Sequence, residues 1–501
     1  MTKPIKFFDG TARHLRGYRM AKRDVCLFFL FWLTPALFVN PLGYTMADSS
    51  LATAIRLVNQ HRLDISPHEA IDVAAVGGQI YSGLPPGLWV LSAPLYYALR
   101  PIINRLPDDT TKYTIKSALQ PPFEPARGAF YLQILLVWLL MAPLAALFQL
   151  RMSRWLAKSG AGPSTILGLP LIAGVGTIVL CYSCAYSKQC LSELLIWNVL
   201  FWSLNREACA PFGASAMAGW VLGLGVGVDY TAIIPVTLII GFLILYPEKV
   251  DAPSFLAGFF GAVALLLYYH HFFFHNMTPY HFRIWPHGQI FYKGRQFTLD
   301  QFQKGPFLGI LHPTWASLYG LTVSPFKGLF LFCPVLLLGL WGSVQGRRRA
   351  TPLLVLGWLM LFASLLFDAS LQGELYWSGG PQYFGPRYLI APIPIVLLGL
   401  RYLRPTIPWK LLIGAVAAIS VGINMLGAMF QDKMLEASLM APLLQNPIAA
   451  LAGLFLHDGP RIPILAAYGA APSVQHAVFV YYAGILMAGF TLLWRSNRQP
   501  A

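Results

Sequence analysis

The feature that most constrains this chain is a series of long apolar runs, separated by short stretches that carry lysine or arginine. Runs such as 129–150, 254–271 and 411–430 are long enough for a helix to cross the hydrocarbon core of a bilayer. Only 11% of the residues are charged, whereas an ordinary soluble protein has about 25%. The two observations together predict an all-α polytopic membrane protein.

The basic clusters predict the direction of each helix. Lysine and arginine concentrate in the cytoplasmic loops of membrane proteins, so the net charge of +16 indicates such a pattern and not a nucleic-acid partner. About twelve transmembrane helices place every basic cluster on one side, with both termini cytoplasmic. The predicted spans are 25–40, 129–150, 164–181, 190–204, two within 214–246, 254–271, 326–345, 352–369, 389–403, 411–430 and 476–494.

A large outer loop, 44–128, is predicted after the first span. It contains an amphipathic helix over 51–60 and the apolar segment Gly87–Ile103, which is expected to lie on the membrane surface as an interfacial helix. A crossing at that segment would put the basic residues that follow 129–150 on the outer side. A catalytic transmembrane domain is predicted over 1–430, and a C-terminal outer loop with the last helix over 431–501. Entry of 434–456 into the membrane stays open.

Asp48 is the first candidate for chemistry, because it follows the first span and directly precedes the amphipathic helix. An aspartate at this position serves equally well as a helix N-cap or as a base that reaches a substrate at the bilayer surface. The other ionisable residues of the loop are His61, His68 and Glu69, expected to be solvated, and Asp64 and Asp72, whose roles stay open.

Three cations, Lys188, Lys327 and Arg387, lie at the outer ends of predicted spans. A guanidinium can bind a phosphodiester through two parallel hydrogen bonds, while a lysine at a span end can equally be a snorkelling residue. The aromatic residues near Arg387 are candidates for substrate stacking or for an interfacial belt; they are Tyr376, Trp377, Tyr383 and Tyr388.

The one-sided placement of ionisable residues separates two functional classes. A transporter is expected to hold its coupling charges near the bilayer midplane, whereas an enzyme that acts on a membrane-borne substrate collects them at one interface. The pattern favours an enzyme, and a transporter or flippase for a lipid-linked or amphipathic solute is the alternative. Cys181, Cys184 and Cys190 have no histidine at ligand spacing and are expected to be packed apolar residues.

The order of several short motifs resembles the GT-C glycosyltransferases of bacterial membranes, which are related to protein mannosyltransferases and lipid A aminoarabinose transferases. The resemblance covers roughly the first 400 residues. The matching residues are Asp48, Tyr81, Ser82, Pro85, Pro86, Gly87, Pro94, Gly176, Thr177, Tyr186, Ser187, Ser324, Pro325, Gly328, Leu329 and Gly385–Leu389.

The resemblance implies inverting transfer of a sugar from a polyprenyl-phosphate donor to a glycan, lipid or protein acceptor. It also implies a bacterial inner-membrane location with an active site facing the periplasm or cell exterior, and Asp48 as the general base. The residues expected to bind the donor phosphate are Arg387, Lys327 and Lys188, and those expected to contact substrate are Tyr81, Tyr186, Tyr388, Trp377 and Asp72. Many relatives have a second acid beside the first, but here Ser49-Ser50 follows Asp48, so neither a metal nor another cofactor is predicted.

Overall fold

The structure is a computed structural model, and its long elements are α-helices. It describes residues 10–41, 48–66, 69–70, 73–76, 78–107, 126–246, 248–274, 289–292, 295–298, 312–346, 352–371, 383–404, 406–435 and 445–496. Two antiparallel hairpins accompany the helices: β1 (Val73–Val76) with β2 (Gln79–Ser82), and β3 (Gln289–Tyr292) with β4 (Arg295–Thr298).

The helices of the first half include the elements of the first loop. They are α1 (Gly10–Leu37), α2 (Asp48–Gln60), α3 (Gly87–Ile103), α4 (Ala129–Lys158, with a π-helical turn at Val137–Met141), α5 (Pro163–Val175), α6 (Val179–Ser183), α7 (Lys188–Leu204), α8 (Phe212–Val228), α9 (Ile233–Leu245) and α10 (Ala252–Phe274). Those of the second half are α11 (Trp315–Thr322), α12 (Leu329–Phe332), α13 (Val335–Gln345), α14 (Pro352–Ala369), α15 (Ile393–Leu397), α16 (Ile407–Phe430), α17 (Pro447–Asp458), α18 (Pro463–Ala467) and α19 (Pro472–Ser496).

Five helices in the described part of the chain, α4, α10, α14, α16 and α19, are long and apolar enough to cross a membrane. Shorter apolar helices lie between them in sequence. Large apolar side chains such as Leu139, Phe260, Phe362 and Met487 are exposed on the long helices, as expected where the surroundings are lipid instead of water. The predicted all-α polytopic membrane fold is therefore confirmed, while the count of twelve helices stays a prediction.

Two predicted spans are broken in the structure. The run 164–181 divides into α5 and α6, and the run 326–345 divides into α12 and α13 at Cys333-Pro334. Proline has no N–H to continue the helical ladder, which explains the second break. The two breaks meet, because the Ile178 N–H donates to Cys333 Sγ at 3.3 Å.

Buried polar side chains of α16 bind carbonyl groups at both breaks. Ser420 Oγ donates to the Gly176 carbonyl at 2.8 Å, and Asn424 Nδ2 donates to the Phe332 carbonyl at 2.8 Å. Both side chains are fully buried. A broken helix in an apolar bundle is stable only when neighbouring groups bind the backbone atoms that it releases, so α16 stabilises the breaks.

Basic residues from several parts of the described chain lie at one end of the bundle, called here the basic end. The contacts that join them are Arg154 with Asp24 (2.9 Å), Lys158 with the Asn205 carbonyl (2.7 Å), Lys249 with the Arg206 carbonyl (2.9 Å) and Arg401 with Ser159 Oγ (2.7 Å). They tie together the ends of α4, α7 and α9 and the segment after α15. The opposite end, which carries the first loop, is called here the loop end.

The first loop is organised on α2 and α3. Helix α2 begins three residues before the predicted start, at Asp48, and α3 has the predicted bounds. The two helices pack on each other, and Asn59 Nδ2 donates to the Tyr96 hydroxyl at 3.0 Å. Helix α3 also contacts α4 and α8. The loop thereby rests on the bundle.

The last helix, α19, packs against α1. The Tyr482 hydroxyl donates to Thr34 Oγ1 at 2.8 Å, and the rings of Tyr482 and Phe38 meet edge to face, with their centroids 5.4 Å apart. The segment 434–456 that the sequence left open is described only at 434–435 and 445–456, and the 12-residue helix α17 begins within it.

Candidate active site

Ionisable side chains collect in the interior at the loop end of the bundle. Lys327, Arg387, Asp368, Asp229 and Glu193 come from widely separated parts of the chain, and none is more than 7% exposed. Charged groups are rarely buried in apolar surroundings unless they face one another or a ligand. This cluster is therefore the candidate site.

Arg387 lies between two tyrosine rings in the turn Arg387–Leu389. Its Cζ is 4.0 Å from the ring centroid of Tyr383 and 4.9 Å from that of Tyr388, and its Nη2 donates to the Tyr388 hydroxyl at 3.0 Å. Aromatic faces attract a guanidinium electrostatically, and the attraction strengthens when water is excluded. The two rings therefore fix the plane and position of the guanidinium.

Lys327 reaches the same tyrosine from another part of the chain. Its side-chain nitrogen donates to the Tyr383 carbonyl, and the two basic groups of Lys327 and Arg387 repel each other electrostatically. Lys327 is held in a tight turn between α11 and α12, in which the Gly328 N–H donates to the Ser324 carbonyl at 2.7 Å. Two cations thus meet at Tyr383, and together they would attract an anion.

Gly385 shapes the segment that carries Arg387. Its φ is +69°, a left-handed conformation that side chains disfavour. A Cβ placed there would lie 3.0 Å from Ile178 Cγ2 and 3.1 Å from Phe332 Cδ1. The Tyr182 hydroxyl holds the preceding residue by donating to the Phe384 carbonyl at 2.8 Å. The segment is thus packed onto the two helix breaks, which explains why glycine precedes Pro386-Arg387.

Three buried carboxylates extend the cluster. Asp368, near the end of α14, interacts electrostatically with both Arg387 and Asp229, and Asp229 interacts with Glu193 of α7. Asp229 Oδ1 accepts a hydrogen bond from the Thr231 N–H at 3.2 Å. One oxygen of each acid is buried without a hydrogen-bond partner in the described structure. These oxygens are Asp229 Oδ2, Asp368 Oδ2 and Glu193 Oε2. Such buried oxygens are costly, so a ligand that forms hydrogen bonds with them would be stabilised there.

The sequence pointed to Lys188, Lys327 and Arg387 but did not assign these three acids to the site. The signal that could have done so is an acid inside an apolar helix, as Asp368 is in α14, because such residues usually mark functional sites.

Asp48 is the first residue of α2, and its side chain lies outside the described part of the structure, as do Asp72 and Trp377. The next residue anchors the helix start, because Ser49 Oγ and Ser82 Oγ are 2.8 Å apart. Beyond Ser82, Gly87 touches the end of α8: a Cβ on Gly87 would lie 2.7 Å from the Gly227 carbonyl. The first loop therefore meets the bundle two residues before Asp229.

Two of the predicted substrate contacts make hydrogen bonds within the protein. Tyr186 is fully buried, and its hydroxyl accepts from Ser92 and donates to the Leu88 carbonyl, both at 2.9 Å. The Tyr81 hydroxyl donates to Gln79 Oε1 at 2.6 Å, and its ring meets that of Phe274 edge to face. Tyr186 thus fastens α3 to the turn before α7. Lys188 begins α7 at the loop end.

Two other acids of the first loop form ion pairs. Arg62 donates to both oxygens of Asp64, at 2.8 and 2.6 Å, and this hydrogen-bonded guanidinium lowers the pKa of the Asp64 carboxyl below its usual value. Arg56 holds both oxygens of Glu69 at 3.0 Å. Asp64 is therefore already paired with Arg62. The second acid that many relatives have beside the first would need a carboxylate that is not paired in this way.

Four buried cysteines are free thiols: Cys181, Cys184, Cys190 and Cys333. The sequence predicted packed apolar side chains for the first three. Cys181 Sγ donates to the Asn424 carbonyl at 3.3 Å. Among the residues that the structure describes, no group of three histidine, cysteine, aspartate or glutamate side chains is arranged to hold a metal ion.

The fold and the site define a polytopic, all-helical membrane protein with a buried charged cluster beneath its first loop. Among solved structures, the chain is similar to the crystal structure of ArnT from Cupriavidus metallidurans bound to undecaprenyl phosphate. The TM-score is 0.47 and the identity 12%, over 96% of this chain and 77% of that one. No protein-family model and no curated protein matches the chain.

Proposed function

We propose that this protein is a membrane glycosyltransferase of the GT-C type, which transfers a sugar from a polyprenyl-phosphate donor to a glycan, lipid or protein acceptor. The observation that carries the proposal is the meeting of Lys327 and Arg387 at Tyr383. Arg387 is among the residues that match the GT-C glycosyltransferase motifs, in Gly385–Leu389, and Lys327 stands at an unspecified position between the matching residues Pro325 and Gly328. The geometry and the resemblance support the same assignment independently.

Arg387 and Lys327 would bind the donor phosphate. When the sugar–oxygen bond of the phosphodiester donor breaks, the leaving group is polyprenyl phosphate, a stable phosphomonoester anion, so it requires positive charge and no proton donor. A guanidinium fixed between two rings offers parallel N–H groups, and an ammonium beside it adds a compact charge. Asp368 is close enough to Arg387 to interact with it electrostatically in the same cluster. Lys188 is a third candidate, on the neighbouring helix.

Asp48 would act as the general base. In an inverting transfer, the acceptor hydroxyl attacks the anomeric carbon from the face opposite the phosphate, and its proton must leave as the bond forms. A carboxylate at the start of α2 belongs to the loop that covers the cluster, and the Ser49–Ser82 contact holds that helix start in place. The carboxylate belongs to an element distinct from those that carry the phosphate-binding cations, which would let it approach the sugar from the face opposite the phosphate.

Tyr388, Tyr81, Trp377 and Asp72 are proposed to contact the sugar or the lipid. A tyrosine ring beside Arg387 would offer an apolar face to a sugar ring and a hydroxyl to its oxygens. The proposed location is a bacterial inner membrane, with the loop end toward the periplasm or cell exterior. The basic end would then be cytoplasmic.

The alternative, a transporter or flippase, would be expected to place its charges near the bilayer midplane. Lys327 and Arg387 instead lie in turns outside the long helices, and Asp368 is the penultimate residue of α14. A fixed cluster at one end of the bundle favours catalysis over alternating access.

The test separates donor binding from transfer. Arg387→Ala is expected to weaken polyprenyl-phosphate binding by about 10- to 100-fold, the effect of losing a charge-assisted hydrogen bond. Binding is measured by native mass spectrometry, with Arg401→Ala at the basic end as the matched control. Unchanged donor affinity in Arg387→Ala would remove this residue from the site.

Asp48→Asn should retain donor binding and lose transfer by at least about 100-fold. The measurement is mass spectrometry of envelope glycans and lipids. It uses cells in which the natural protein is replaced by the Asp48→Asn variant or by the control variant Asp64→Asn. Restoration of the missing product by Asp48→Asn would disprove its role as the base.

A further inference from the structure

An open cavity at the basic end, far along the bundle from the candidate active site, has the features of an anion site. It has a volume of about 450 Å³ and lies where α4 and α7 end. Its lining residues are Lys158, Trp202, Asn205, Arg206, Glu207 and Ala208. Ligand cavities commonly have volumes of about 300–1,000 Å³, so this one is large enough for a polar headgroup.

The cavity is built on fixed helix ends. Asn205 Nδ2 donates to the Arg151 carbonyl at 2.8 Å and to the Phe201 carbonyl at 2.7 Å. Lys249 Nζ holds the next residue through the Arg206 carbonyl at 2.9 Å. These bonds join α4, α7 and the segment after α9, so the positions of the lining cations are set by the helices.

Positive charge predominates at the cavity. Arg206 Cζ lies 5.3 Å from the ring centroid of Trp202, and its Nε donates to the Ala208 carbonyl. Lys158 Nζ donates to the Asn205 carbonyl and to Glu207 Oε1 at 3.1 Å. Arg401 adds a further cation, bound to the residue that follows Lys158. Capping of the C-terminal end of a helix would explain why these side chains bind backbone carbonyl groups. It would not explain the cavity that Lys158 and Arg206 line.

Glu207 is the acid among the lining residues, and its side chain is 88% exposed. An ion pair so exposed contributes little to stability. An anionic ligand can therefore displace the Glu207 carboxylate from Lys158, whose side chain is itself 48% exposed. Trp202 gives the cavity an apolar wall, and indole rings are enriched where membrane meets water.

We propose that this cavity binds the phosphate-bearing headgroup of an anionic phospholipid, with Lys158 and Arg206 on the phosphate and Trp202 against the glycerol and first acyl carbons. Basic recesses between membrane helices bind such headgroups elsewhere. The site is independent of sugar transfer, because it lies at the end of the bundle opposite Lys327 and Arg387. Its occupant would fix the ends of α4 and α7 at the headgroup level.

The probes are phosphatidylglycerol, phosphatidylcholine and inorganic phosphate, added to the full chain in detergent micelles and measured by native mass spectrometry. Phosphatidylglycerol is expected to bind at least about 10-fold more tightly than phosphatidylcholine. Inorganic phosphate at equal concentration should not displace it. Equal affinities, or displacement by inorganic phosphate, would overturn the lipid assignment.

Variants test the named residues. Lys158→Gln with Arg206→Gln should weaken phosphatidylglycerol binding by roughly 25-fold, at about fivefold for each charge removed. The control pair, Arg404→Gln with Lys410→Gln, lies outside the cavity lining and should change the affinity by less than about twofold. Equal losses in both pairs would indicate a diffuse charge effect and disprove the site.

Glu207→Gln gives a signal that misfolding cannot imitate. Removing this exposed carboxylate should tighten phosphatidylglycerol binding by roughly two- to fivefold, because the lipid phosphate no longer has to displace Glu207 from Lys158. Weaker or unchanged binding in this variant would contradict the proposed role of Lys158.

Discussion

Lys327 and Arg387 are held by one residue, Tyr383, the first through the main-chain carbonyl and the second through the ring. A substitution at Tyr383 therefore separates the two contacts, because every substituted residue still has a main-chain carbonyl. The hydrogen bond of Lys327 is retained in any such variant, whereas a non-aromatic residue removes the ring that lies 4.0 Å from Arg387.

Tyr383→Leu should weaken polyprenyl-phosphate binding by about 3- to 30-fold, which corresponds to a cation–π contribution of about 0.5–2 kcal/mol. Tyr383→Phe keeps the ring and should bind within about threefold of the natural protein. Native mass spectrometry measures both affinities. Equal losses in the two variants would show that the hydroxyl matters and the ring does not.

Gly385→Ala should lower the free energy of unfolding by about 3 kcal/mol, from the left-handed conformation and from overlap with Ile178 and Phe332. The matched control is Gly469→Ala, where φ is +76° and nothing lies within 4 Å of an added Cβ. It should cost only about 1–2 kcal/mol. Unfolding in mixed detergent micelles gives both values, and equal costs would contradict the packing argument.

Tyr186→Phe should lower the free energy of unfolding by about 1–3 kcal/mol, because the buried Leu88 carbonyl and Ser92 hydroxyl lose a partner. The KM for donor should stay within about twofold, since the hydroxyl serves the fold. Tyr97→Phe, on the exposed face of α3, should change neither quantity. A raised KM with unchanged stability would instead favour the substrate contact predicted from the sequence.

Asn424→Leu should destabilise the bundle by about 1–2 kcal/mol, the range for interhelical hydrogen bonds in membranes. The Phe332 carbonyl at the break between α12 and α13 would lose its donor. The control is Thr491→Ala, whose exposed hydroxyl binds only within its own helix. A loss no greater than that of the control would show that the break needs no partner.

Hydropathy predicted the helices well where a run is continuous. The bounds of α3, the start of α4 at Ala129 and the division of 214–246 into two helices are as the sequence indicated. It did not predict the breaks at 176–178 and 333–334, because two or three residues that end a helix hardly lower the average hydropathy of a long apolar run. The signal for those breaks was Ser420 and Asn424, polar residues in an otherwise apolar helix.

The site was predictable as a set of residue types but not as an arrangement. Span ends pointed to Lys327 and Arg387, since intramembrane charge is expensive. Their meeting at Tyr383 depends on the left-handed turn at Gly385 and on its packing against Ile178, which no local pattern encodes. The placement of Asp48 against this pair remains a prediction.

The contact between Thr34 and Tyr482 spans 448 residues of sequence. At about 5–20 residues per second, roughly 20–90 s of synthesis separate the two residues. The first helix therefore enters the membrane long before its last partner exists, and until then the Thr34 hydroxyl has no Tyr482 to bind. The rate of translation consequently sets the earliest time at which the fold can be completed. A stall late in translation would leave the face of α1 that packs against α19 uncovered.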